Sequence, residues 1–307
     1  MSSPHHEGGD RPRYRKAVIV LNPVAGRGRG LRAAESVERA VRLALGPTCS
    51  VSRRLTSPEE GAEELAREAV REGADLIIAA GGDGTLHGVV NGAAGAPATV
   101  AQIPLGTGND FARAVGIPAR PAEAAGVLAS GHAALVDLGK LGNQLFINAA
   151  GCGFDAAVAE RVNRGFRSLG GPSAYIAAVI ATLLSYRATV MTITVDGQRV
   201  ERRAMLCAVA NGTGYGGGMR LAPEARWDDG MLDVCIVAEC SRIEFLRAFP
   251  QVFRGAHTHH PKVQMLRGKR MTVESDPPVG VLVDGEITGT TPVIIETVPS
   301  ALRFVVP

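Results

Sequence analysis

The residues best suited to phosphate chemistry stand at 81–85 (GGDGT), directly after the apolar run 74–80 (ADLIIAA). Glycines lack a Cβ, so a backbone that contains them can turn tightly and approach a phosphate group closely. A helix that begins here would add unpaired amides and the positive end of its dipole, both of which attract anions. Asp83 could hold Mg²⁺, which prefers oxygen ligands, and Thr85 adds a hydroxyl donor. By itself the segment fits either a phosphate site or a plain strand-to-helix turn.

Two further loops of similar composition favour the phosphate site. Residues 22–26 (NPVAG) end the first apolar run, and residues 104–113 (PLGTGNDFAR) end a later one. Because parallel strands carry their following loops at one edge of the sheet, we expect the three loops to lie side by side. A nucleotide site explains this convergence better than three unrelated turns.

Other fingerprints do not fit the sequence. The pattern GxxxxGK[ST] of P-loop enzymes is absent, and residues 26–31 (GRGRGL) lack the third glycine of a dinucleotide-binding loop. Residues 151–156 (GCGFDA) approach that pattern, but Tyr175 stands where an acidic residue is required, so we predict a packed turn. The histidines of the run 257–260 (HTHH) have no cysteine or carboxylate at zinc-ligand spacing and are predicted to lie in a surface loop.

The elements that must position these loops follow from the apolar pattern, which predicts an α/β first half and a β-rich second half. In the first half, the predicted strands are residues 16–22, 49–55, 74–80 and 100–104, and the predicted helices are residues 31–45, 56–72 and 86–93. We expect Thr56 to cap the second of these helices. In the second half, short runs separated by turns predict a sandwich-like domain, interrupted by helices at residues 174–186 and 241–254.

The expected domain organisation follows from this change of texture. We assign residues 1–15 to a disordered tail, residues 16–133 to an α/β nucleotide-binding domain and residues 134–307 to a β-rich domain. The last strand could pair with either domain.

Composition restricts the function classes. The 307 residues are 46% hydrophobic and 21% charged with a net charge of +3, so the sequence lacks the strongly basic character of a nucleic-acid binder. Five scattered cysteines indicate free thiols in a reducing compartment. The sequence shows no signal-peptide-like start and no window of ~18–20 apolar residues, which predicts a cytoplasmic protein. The weakly basic balance still permits attraction to an anionic membrane surface.

With these motifs in order, the sequence resembles the diacylglycerol kinase catalytic family, which includes bacterial lipid kinases and is related to sphingosine kinases. The resemblance covers nearly the whole chain. It rests on the runs NPVAGRGRG, GGDGTLHGVVNG, PLGTGNDFARAVGIP, VDLGKL, INAAGCGFDAAVA, NGTGYGGGMRLAPEARWDDGMLDV and LVDGEI. GGDGT alone would be shared with NAD kinases, whereas the later motifs are specific to the lipid kinases.

The resemblance implies an N-terminal α/β nucleotide domain of the NAD-kinase and diacylglycerol-kinase type, a C-terminal β-sandwich and a cleft between them. ATP would donate its γ-phosphoryl group with Mg²⁺ present. The acceptor would be a lipid alcohol, with diacylglycerol giving phosphatidic acid as the first choice. The implied ATP-binding positions are Asn22, Pro23, Val24, Ala25, Gly26, Thr56, Gly81, Gly82, Asp83, Gly84, Thr85, Leu86, His87, Gly88 and Thr107. Gly88 replaces a frequent glutamate, which we expect to weaken the helix and to slow turnover.

Carboxylates of the second half complete the implied site. Asp284 and Glu286 follow an apolar run, and alternate residues of a strand face the same side, so both could address one point. The family assigns to this pair the base that accepts the alcohol proton, and we favour Glu286, with Asp284 as orienter. The alternative is a solvated hairpin turn, for which Asp-Gly is a standard signal. Together with Asp83, these residues form the expected catalytic set.

The family pattern also implies metal ligands in the second half. A structural Mg²⁺ would be held by Asp229 together with the backbone carbonyls of Arg226 and Met231. Asp137 resembles an acidic position that helps to organise the catalytic Mg²⁺.

Several alternatives stay open at this point. A sphingoid-base or ceramide kinase would use the same residues, an NAD kinase should carry a GSTAY-like run that is absent, and a non-catalytic nucleotide- or lipid-binding regulator should have lost the DGE or WDDG carboxylates. Basic residues beside apolar ones in and around the helices 174–186 and 241–254, among them Arg167, predict a peripheral membrane surface near the lipid entry. A homodimer is one option for the assembly.

Overall fold

The computed structural model describes residues 14–162, 164 and 171–307, without the side chains of residues 27 and 171–175. The predicted tail at residues 1–15 lies almost wholly outside the described residues, as does Arg167. The chain divides into two compact units. The first comprises the residues up to Gly106 with Val115–Leu135 and Leu302–Pro307, and the second comprises Thr107–Ala114 and Val136–Ala301.

The elements follow the chain in this order. The strands are β1 (Lys16–Leu21), β2 (Ser50–Leu55), β3 (Leu76–Gly81), β4 (Thr99–Pro104), β5 (His132–Leu141), β6 (Gln144–Phe146), β7 (Ala149–Gly153), β8 (Thr189–Val195), β9 (Gln198–Ala210), β10 (Gly214–Tyr215), β11 (Met219–Arg220), β12 (Leu232–Ala238), β13 (Val263–Gly268), β14 (Arg270–Asp276), β15 (Gly280–Val283), β16 (Glu286–Thr290) and β17 (Val293–Val306). The helices are α1 (Ala25–Leu45), α2 (Ala62–Arg71), α3 (Asp83–Ala93), α4 (Asp110–Ala114), α5 (Pro121–Ser130), α6 (Phe154–Arg161), α7 (Gly171–Ser185) and α8 (Arg242–Ala248), and two 3-10 helices follow at Phe249–Arg254 and Ala256–His259.

The first unit is built on a parallel sheet in the order β2, β1, β3, β4 and the last residues of β17. Every residue of β3 and β4 is buried, which is typical of strands covered by helices on both faces. Leu21 pairs with Leu55 on one side and with Ala80 on the other, so the loops after β1, β2 and β3 start at one edge. The strand order reverses between β1 and β3, and such a switch point opens a crevice at the carboxyl ends of the strands.

Two helices of the first unit begin earlier than predicted. The helix α1 starts at Ala25 rather than at residue 31, because the amide of Gly28 donates to the carbonyl of Val24 at 3.0 Å and continues the hydrogen-bonded turns into the loop. The helix α3 starts at Asp83 rather than at residue 86, with the amide of Leu86 donating to the carbonyl of Gly82 at 3.1 Å. The two glycine-rich segments are therefore helix starts as well as loops.

The predicted cap of α2 is wrong. The helix begins at Ala62 with Gly61 as its N-cap, six residues after Thr56. The reason is a local turn formed by Ser57, whose hydroxyl accepts hydrogen bonds from the amides of Glu59 and Glu60 at 3.2 and 3.1 Å. Serine side chains that bond nearby amides compete in this way with helix formation. The helix α5, which the apolar pattern did not indicate, follows β4 and α4 in the chain.

The second unit is a mainly antiparallel sheet in the order β16, β15, β7, β9, β8, β14 and the first residues of β17, with β12 and β13 added at β9. Its core is one cluster of aliphatic side chains and cysteines contributed by these strands. A second cluster joins α6, α7 and α8 through residues such as Phe154, Leu183 and Phe245. Within the described residues, no helix is both long and apolar enough to cross a membrane.

The segment 151–156 is not the packed turn that was predicted. It contains the end of β7 and the start of α6, and Gly153 joins them with a φ of 105° that favours glycine. The predicted helix at residues 174–186 is α7. The predicted helix at residues 241–254 is α8 followed by a 3-10 helix, and its Ser241 forms a capping box with Glu244.

Close packing of α2 against α3 depends on two glycines. A Cβ at Gly92 would lie 2.3 Å from the carbonyl oxygen of Glu63 and 2.8 Å from the Cβ of Ala66. A Cβ at Gly88 would lie 2.8 Å from the Cβ of Ala62. Both positions therefore lack a side chain because the neighbouring helix occupies the space.

We expect Gly92→Ala to lower the free energy of unfolding by about 1–3 kcal/mol, because the new methyl group would overlap the backbone of α2. Gly126→Ala is the matched control, since Gly126 lies in α5 and a Cβ there would meet nothing within 4 Å. The control should be neutral or stabilising by up to about 1 kcal/mol, as expected for alanine in a helix. Urea denaturation of both variants and the wild type measures the difference, and equal effects of the two substitutions would contradict the packing argument.

Candidate active site

The loop after β1 is fixed by its asparagine. The side-chain oxygen of Asn22 accepts a hydrogen bond from the amide of Val24 at 3.0 Å, and the Asn22 amide donates to the carbonyl of Ala80 at 3.0 Å. The carbonyl of Asn22 accepts from the amide of Ala25 at 3.2 Å. These bonds tie the loop to the end of β3 and leave Val24 exposed.

The loops after β1, β3 and β4 are in contact, as the parallel arrangement led us to expect. The carbonyl of Gly81 accepts hydrogen bonds from the amides of Leu105 and Gly106 at 2.8 and 3.3 Å. A Cβ at Gly82 would lie 3.3 Å from the Cα of Gly106, and a Cβ at Gly26 would lie 2.5 Å from the carbonyl oxygen of Leu105. Glycine is therefore required where these backbones meet.

The first turn of α3 holds the only carboxylate of the GGDGT run. Asp83 is half-buried and Gly84 is exposed, whereas Thr85 is buried. The Thr85 hydroxyl packs back onto Gly81, where a Cβ would lie 2.2 Å from its oxygen. Leu86 is also buried, so this turn offers Asp83 and backbone amides to a ligand rather than a row of side chains.

The other residues implied for ATP differ in their surroundings. Thr56 is half-buried, and its amide donates to the carbonyl of Leu21 at 3.0 Å, which places it beside the end of β1. His87 is buried, with its Nε2 3.5 Å from the side-chain nitrogen of Asn91. Thr107 is exposed and belongs to the second unit.

The place of Gly88 has a steric explanation. Its position faces the start of α2, where a Cβ would lie 2.8 Å from the Cβ of Ala62 and 3.0 Å from the amide nitrogen of Glu63. A glutamate at residue 88 would require α2 to move. The residue that was expected to weaken the helix is therefore also the residue that permits the contact between the two helices.

Asp284 and Glu286 do not lie on one strand face, contrary to the expectation. The strand β15 ends at Val283 and β16 begins at Glu286, so Asp284 and Gly285 form the two-residue turn of a hairpin. Both have positive φ, 46° and 91°, as the tight turns of hairpins require. Glu286 is exposed.

The carboxylate of Asp284 is bonded to backbone amides. One oxygen accepts from the amides of Asn148 and Ala149 at 2.9 and 3.1 Å, and the other accepts from the amide of Ile147 at 3.1 Å. The hairpin of β8 and β9 has the same kind of turn aspartate. Asp196 has a φ of 45°, and its carboxylate accepts hydrogen bonds from the amides of Lys269 and Arg270 at 2.9 Å each. Asp284 thus stabilises the turn and its neighbours as Asp196 does.

The expected structural metal site does not fit the side chains present. One oxygen of Asp229 accepts from the amide of Met231 at 3.1 Å, and the other is paired with the guanidinium of Arg267. A cation of the protein already neutralises this carboxylate. Among the residues that the structure describes, no group of three His, Cys, Asp or Glu side chains could hold a metal ion.

Asp137 is likewise bonded to backbone. It is 2% exposed, and its oxygens accept from the amides of Gly230 and Ser300 at 2.5 and 2.7 Å. Its own amide donates to the carbonyl of Trp227 at 2.8 Å. The carboxylate joins three segments of the second unit, a role that the sequence alone did not indicate.

Asp110 was missed as a candidate, although it stands within PLGTGNDFAR. It is 6% exposed, and its oxygens accept from the amides of Gly217 and Gly218 at 2.8 and 2.9 Å. Burial raises the pKa of Asp110, whereas these amides and Arg113 lower it and the charge of Asp284 raises it further. The three consecutive glycines at residues 216–218 are the sequence signal that could have found this contact.

The second unit contains an apolar pocket with one buried carboxyl group. The cavity has a volume of about 100 Å³ and is partly open to solvent. Among its lining residues are Phe154, Val179, Leu206, Met219, Phe245, Phe249 and Asp155. Burial raises the pKa of Asp155 to about 6, against the hydrogen bonds of Tyr215 and of the local backbone.

The surroundings of Asp155 are specific. The hydroxyl of Tyr215 donates to Asp155 Oδ2 at 2.8 Å, and the amide of Ala156 donates to Oδ1 at 2.9 Å. A Cβ at Gly151 would lie 1.7 Å from Oδ2, so the glycine of the GCGFDA run makes room for the carboxyl group. Neither the pocket nor this residue was found from the sequence.

His257 also lines the pocket, which corrects the prediction of a surface loop. It is 6% exposed, and its Nε2 lies 3.1 Å from the carbonyl oxygen of Leu221. Burial lowers its pKa. The neighbouring His259 is exposed, as expected.

Known proteins match the chain from end to end. The family described as "Diacylglycerol kinase catalytic domain" matches residues 16–141, and the family described as "YegS C-terminal NAD kinase beta sandwich-like domain" matches residues 148–306. A protein of Mycobacterium tuberculosis (strain ATCC 25618 / H37Rv) named diacylglycerol kinase is 32% identical over 299 residues, which cover 95% of each chain. One of Staphylococcus aureus (strain MRSA252) with the same name is 34% identical over 280 residues, 91% of this chain and 88% of its own.

Solved structures agree with these matches. A crystal structure of a candidate diacylglycerol kinase from Bacillus anthracis str. Sterne has a TM-score of 0.81 at 27% identity and covers 99% of both chains. Another structure from the same organism has a TM-score of 0.75 at 25% identity and covers 96% of this chain and 98% of its own.

The two matched domains define a kinase that combines an α/β catalytic domain with a β-sandwich-like domain. The chain belongs to the diacylglycerol kinase family. It is therefore an ATP-dependent kinase that transfers a phosphoryl group to an alcohol, and the resemblance, fold class and enzyme class expected from the sequence are confirmed.

The buried carboxyl group gives a stability prediction. Because the pKa of Asp155 in the folded state is about 6, above the ordinary value of 3.8, the protonated form favours folding. This contribution is complete below pH 4 and is lost as the pH rises through 6. The free energy of unfolding of the wild type minus that of Asp155→Asn should fall by about 3 kcal/mol between pH 4 and pH 7.

Asp196→Asn is the control for this measurement. Backbone amides of Lys269 and Arg270 lower the pKa of Asp196, so its contribution is lost only as the pH falls. The corresponding difference for Asp196 should therefore not decrease between pH 4 and pH 7. Denaturation curves between pH 4 and pH 7 measure the free energies of unfolding. If the two differences changed with pH in the same way, the raised pKa of Asp155 would be excluded.

Proposed function

We propose that the chain transfers the γ-phosphoryl group of ATP to the hydroxyl of a lipid alcohol, with diacylglycerol giving phosphatidic acid as the first candidate. The apolar pocket of the second unit carries this proposal. Its lining is mostly apolar, which suits hydrocarbon better than a sugar or a small polar alcohol.

The loops of the first unit supply the phosphate site. The Asn22–Ala25 turn, Gly81, Gly82 and the first turn of α3 lie at the switch point of the sheet. Amides at a helix start, together with its dipole, bind anions. We assign the triphosphate to this edge, with Thr56 beside it. The role of Thr107 stays a prediction from the resemblance.

Asp83 is the residue that would hold magnesium. Mg²⁺ is usually bound by one or two carboxylates together with substrate phosphates, and Asp83 is a half-buried carboxylate in the phosphate-binding turn. The bound ion would supply positive charge that neutralises the transferring group. The Asp229 position does not fit a metal, because Arg267 already neutralises that carboxylate, and no step is assigned to it.

Glu286 is the proposed proton acceptor. Both oxygens of Asp284 accept backbone amides, which leaves that residue a structural role like that of Asp196. Glu286 follows in the same hairpin and is exposed. It has not been given a structural role of the kind that Asp284 has. A base must come within about 3 Å of the hydroxyl whose proton it accepts, and an unengaged carboxylate can do so.

Glu286→Gln should lower kcat by about 10²–10⁴-fold, because the general base is lost, while the free energy of unfolding changes by less than about 0.5 kcal/mol. Asp284→Ala should instead lower the free energy of unfolding by about 2–3 kcal/mol, since three backbone amides lose their acceptor. Asp196→Ala, which removes the same device from the other hairpin, is the stability control. Wild-type stability in Asp284→Ala with a kcat as low as that of Glu286→Gln would reverse the two roles.

A panel of acceptors tests the substrate class. With labelled ATP and magnesium we expect phosphate transfer to diacylglycerol at a higher kcat/KM than to a sphingoid base, ceramide or NAD. Asp83→Ala should lower the rate with every acceptor by about 10²-fold or more, because the phosphates lose their metal-binding carboxylate. Transfer to NAD alone would identify an NAD kinase. No transfer to any acceptor, despite ATP binding, would identify a regulator and overturn the proposal.

An enzyme that acts on such a lipid must meet the membrane that contains it. We therefore include peripheral membrane association in the proposal and leave the homodimer as an option that nothing in the geometry favours.

A further inference from the structure

The helix α7 presents an apolar side to solvent. Ile176, Ile180 and Leu184 are spaced by four residues and therefore lie along one side of the helix. They are 45%, 45% and 61% exposed, whereas Val179 and Leu183 on the other side are buried. The sequence of α7 contains no charged residue. An exposed apolar side on an uncharged helix is unusual for a surface in contact with water.

The following helices extend this apolar side. Ile243, Leu246 and Phe253, on α8 and the next 3-10 helix, are 64%, 45% and 44% exposed. The guanidinium of Arg242 donates to the carbonyl of Leu184 at 2.6 Å, which joins the start of α8 to the end of α7. Six of the fourteen large apolar side chains that are exposed among the described residues belong to this set, which we name the α7–α8 face. Apolar patches of this kind mark interaction sites.

Positive charge surrounds the α7–α8 face. Arg187, Arg242, Arg247 and Arg254 are exposed. Within the part of the chain that the structure describes, no carboxylate lies at ion-pair distance from any of the four. The nearby Arg164 is paired with Glu160. The charge around the face is complementary to an anionic surface.

The inner sides of the same helices line the apolar pocket. The pocket residues contributed by them are Val179, Phe245, Ala248, Phe249 and Val252. One side of each helix thus borders the pocket and the other side is exposed. A hydrocarbon chain that leaves a bilayer at this face has a short route past the helices to the pocket.

We propose that the α7–α8 face docks on a bilayer that contains anionic lipid, with its six apolar side chains entering the acyl boundary and its arginines contacting headgroups. The inference rests on the proposed function, because binding to a bilayer serves the enzyme only if its substrate is a lipid. Burial of apolar side chains and attraction of arginines to anionic headgroups both favour binding, and together they support reversible docking.

Vesicle co-sedimentation tests the docking. The probes are phosphatidylcholine vesicles with and without phosphatidylglycerol, and the variant is Ile180→Glu with Leu184→Glu. We expect the wild type to bind the anionic vesicles at least 10-fold more tightly than the neutral ones, and the double variant to lose at least 10-fold in affinity. The matched control is Leu43→Glu, which changes an exposed leucine of α1 (86% exposed) and should bind as the wild type does. Equal binding by all three proteins would overturn the proposal.

Two assays separate this inference from the proposed function. With a short-chain diacylglycerol dissolved as monomers, the double variant should keep the wild-type kcat/KM, and with diacylglycerol in anionic vesicles it should lose at least 10-fold. If the wild type phosphorylates neither form yet binds vesicles, the proposed function fails while the docking face stands. If the wild type phosphorylates both forms and the double variant is unimpaired on vesicles, the docking face fails while the proposed function stands.

Sedimentation without lipid tests the competing occupant, a second copy of the chain. We expect wild type and double variant to have the same mass in solution. A wild-type dimer that the double variant converts to a monomer would make the α7–α8 face a subunit interface and overturn the proposal.

Discussion

The proposed phosphate site depends on backbones that approach more closely than side chains would allow. Gly26, Gly81 and Gly82 each stand where a Cβ would lie between 2.2 and 3.3 Å from a neighbouring atom. Because these positions are glycine, the loops after β1, β3 and β4 can touch and turn their amides toward one crevice. The loops must lie close together before their amides can attract one phosphate group, so the steric requirement comes before the electrostatic one. Gly88 and Gly92 allow a similarly close approach further along α3, where this helix packs against α2.

Much of the fold follows from local patterns in the sequence, and the misses have physical causes. Continuous apolar runs such as residues 74–80 predict buried parallel strands, and the structure forms them close to the expected bounds. Helix starts were less predictable, because Ser57 closes a turn of its own and because Ala25 continues a helix into a glycine-rich loop. The pocket around Asp155 could not be predicted, since its wall combines residues from distant parts of the chain that share no local pattern.

The carboxylates show why residue type alone could not assign the site. Asp137 and Asp284 resemble metal-binding or catalytic residues and Asp110 was not a candidate, yet all three accept backbone amides from segments far away in the sequence. These partners became visible only in the folded chain. Glu286 differs because it lies in the turn region without such amides, and Asp155 differs because its surroundings are apolar. The sequence could therefore name these carboxylates but not their partners in the fold.

The strand β17 makes the two units depend on each other through the chain itself. Its first residues pair with β14 in the second unit, and Arg303 and Phe304 near its end pair with β4 in the first. A fragment that ends at residue 133 therefore leaves one edge of β4 without a partner, and an unpaired parallel strand edge is prone to aggregation. During synthesis, the sheet of the first unit would be completed only after the second unit had been made, so the first unit reaches its final state last.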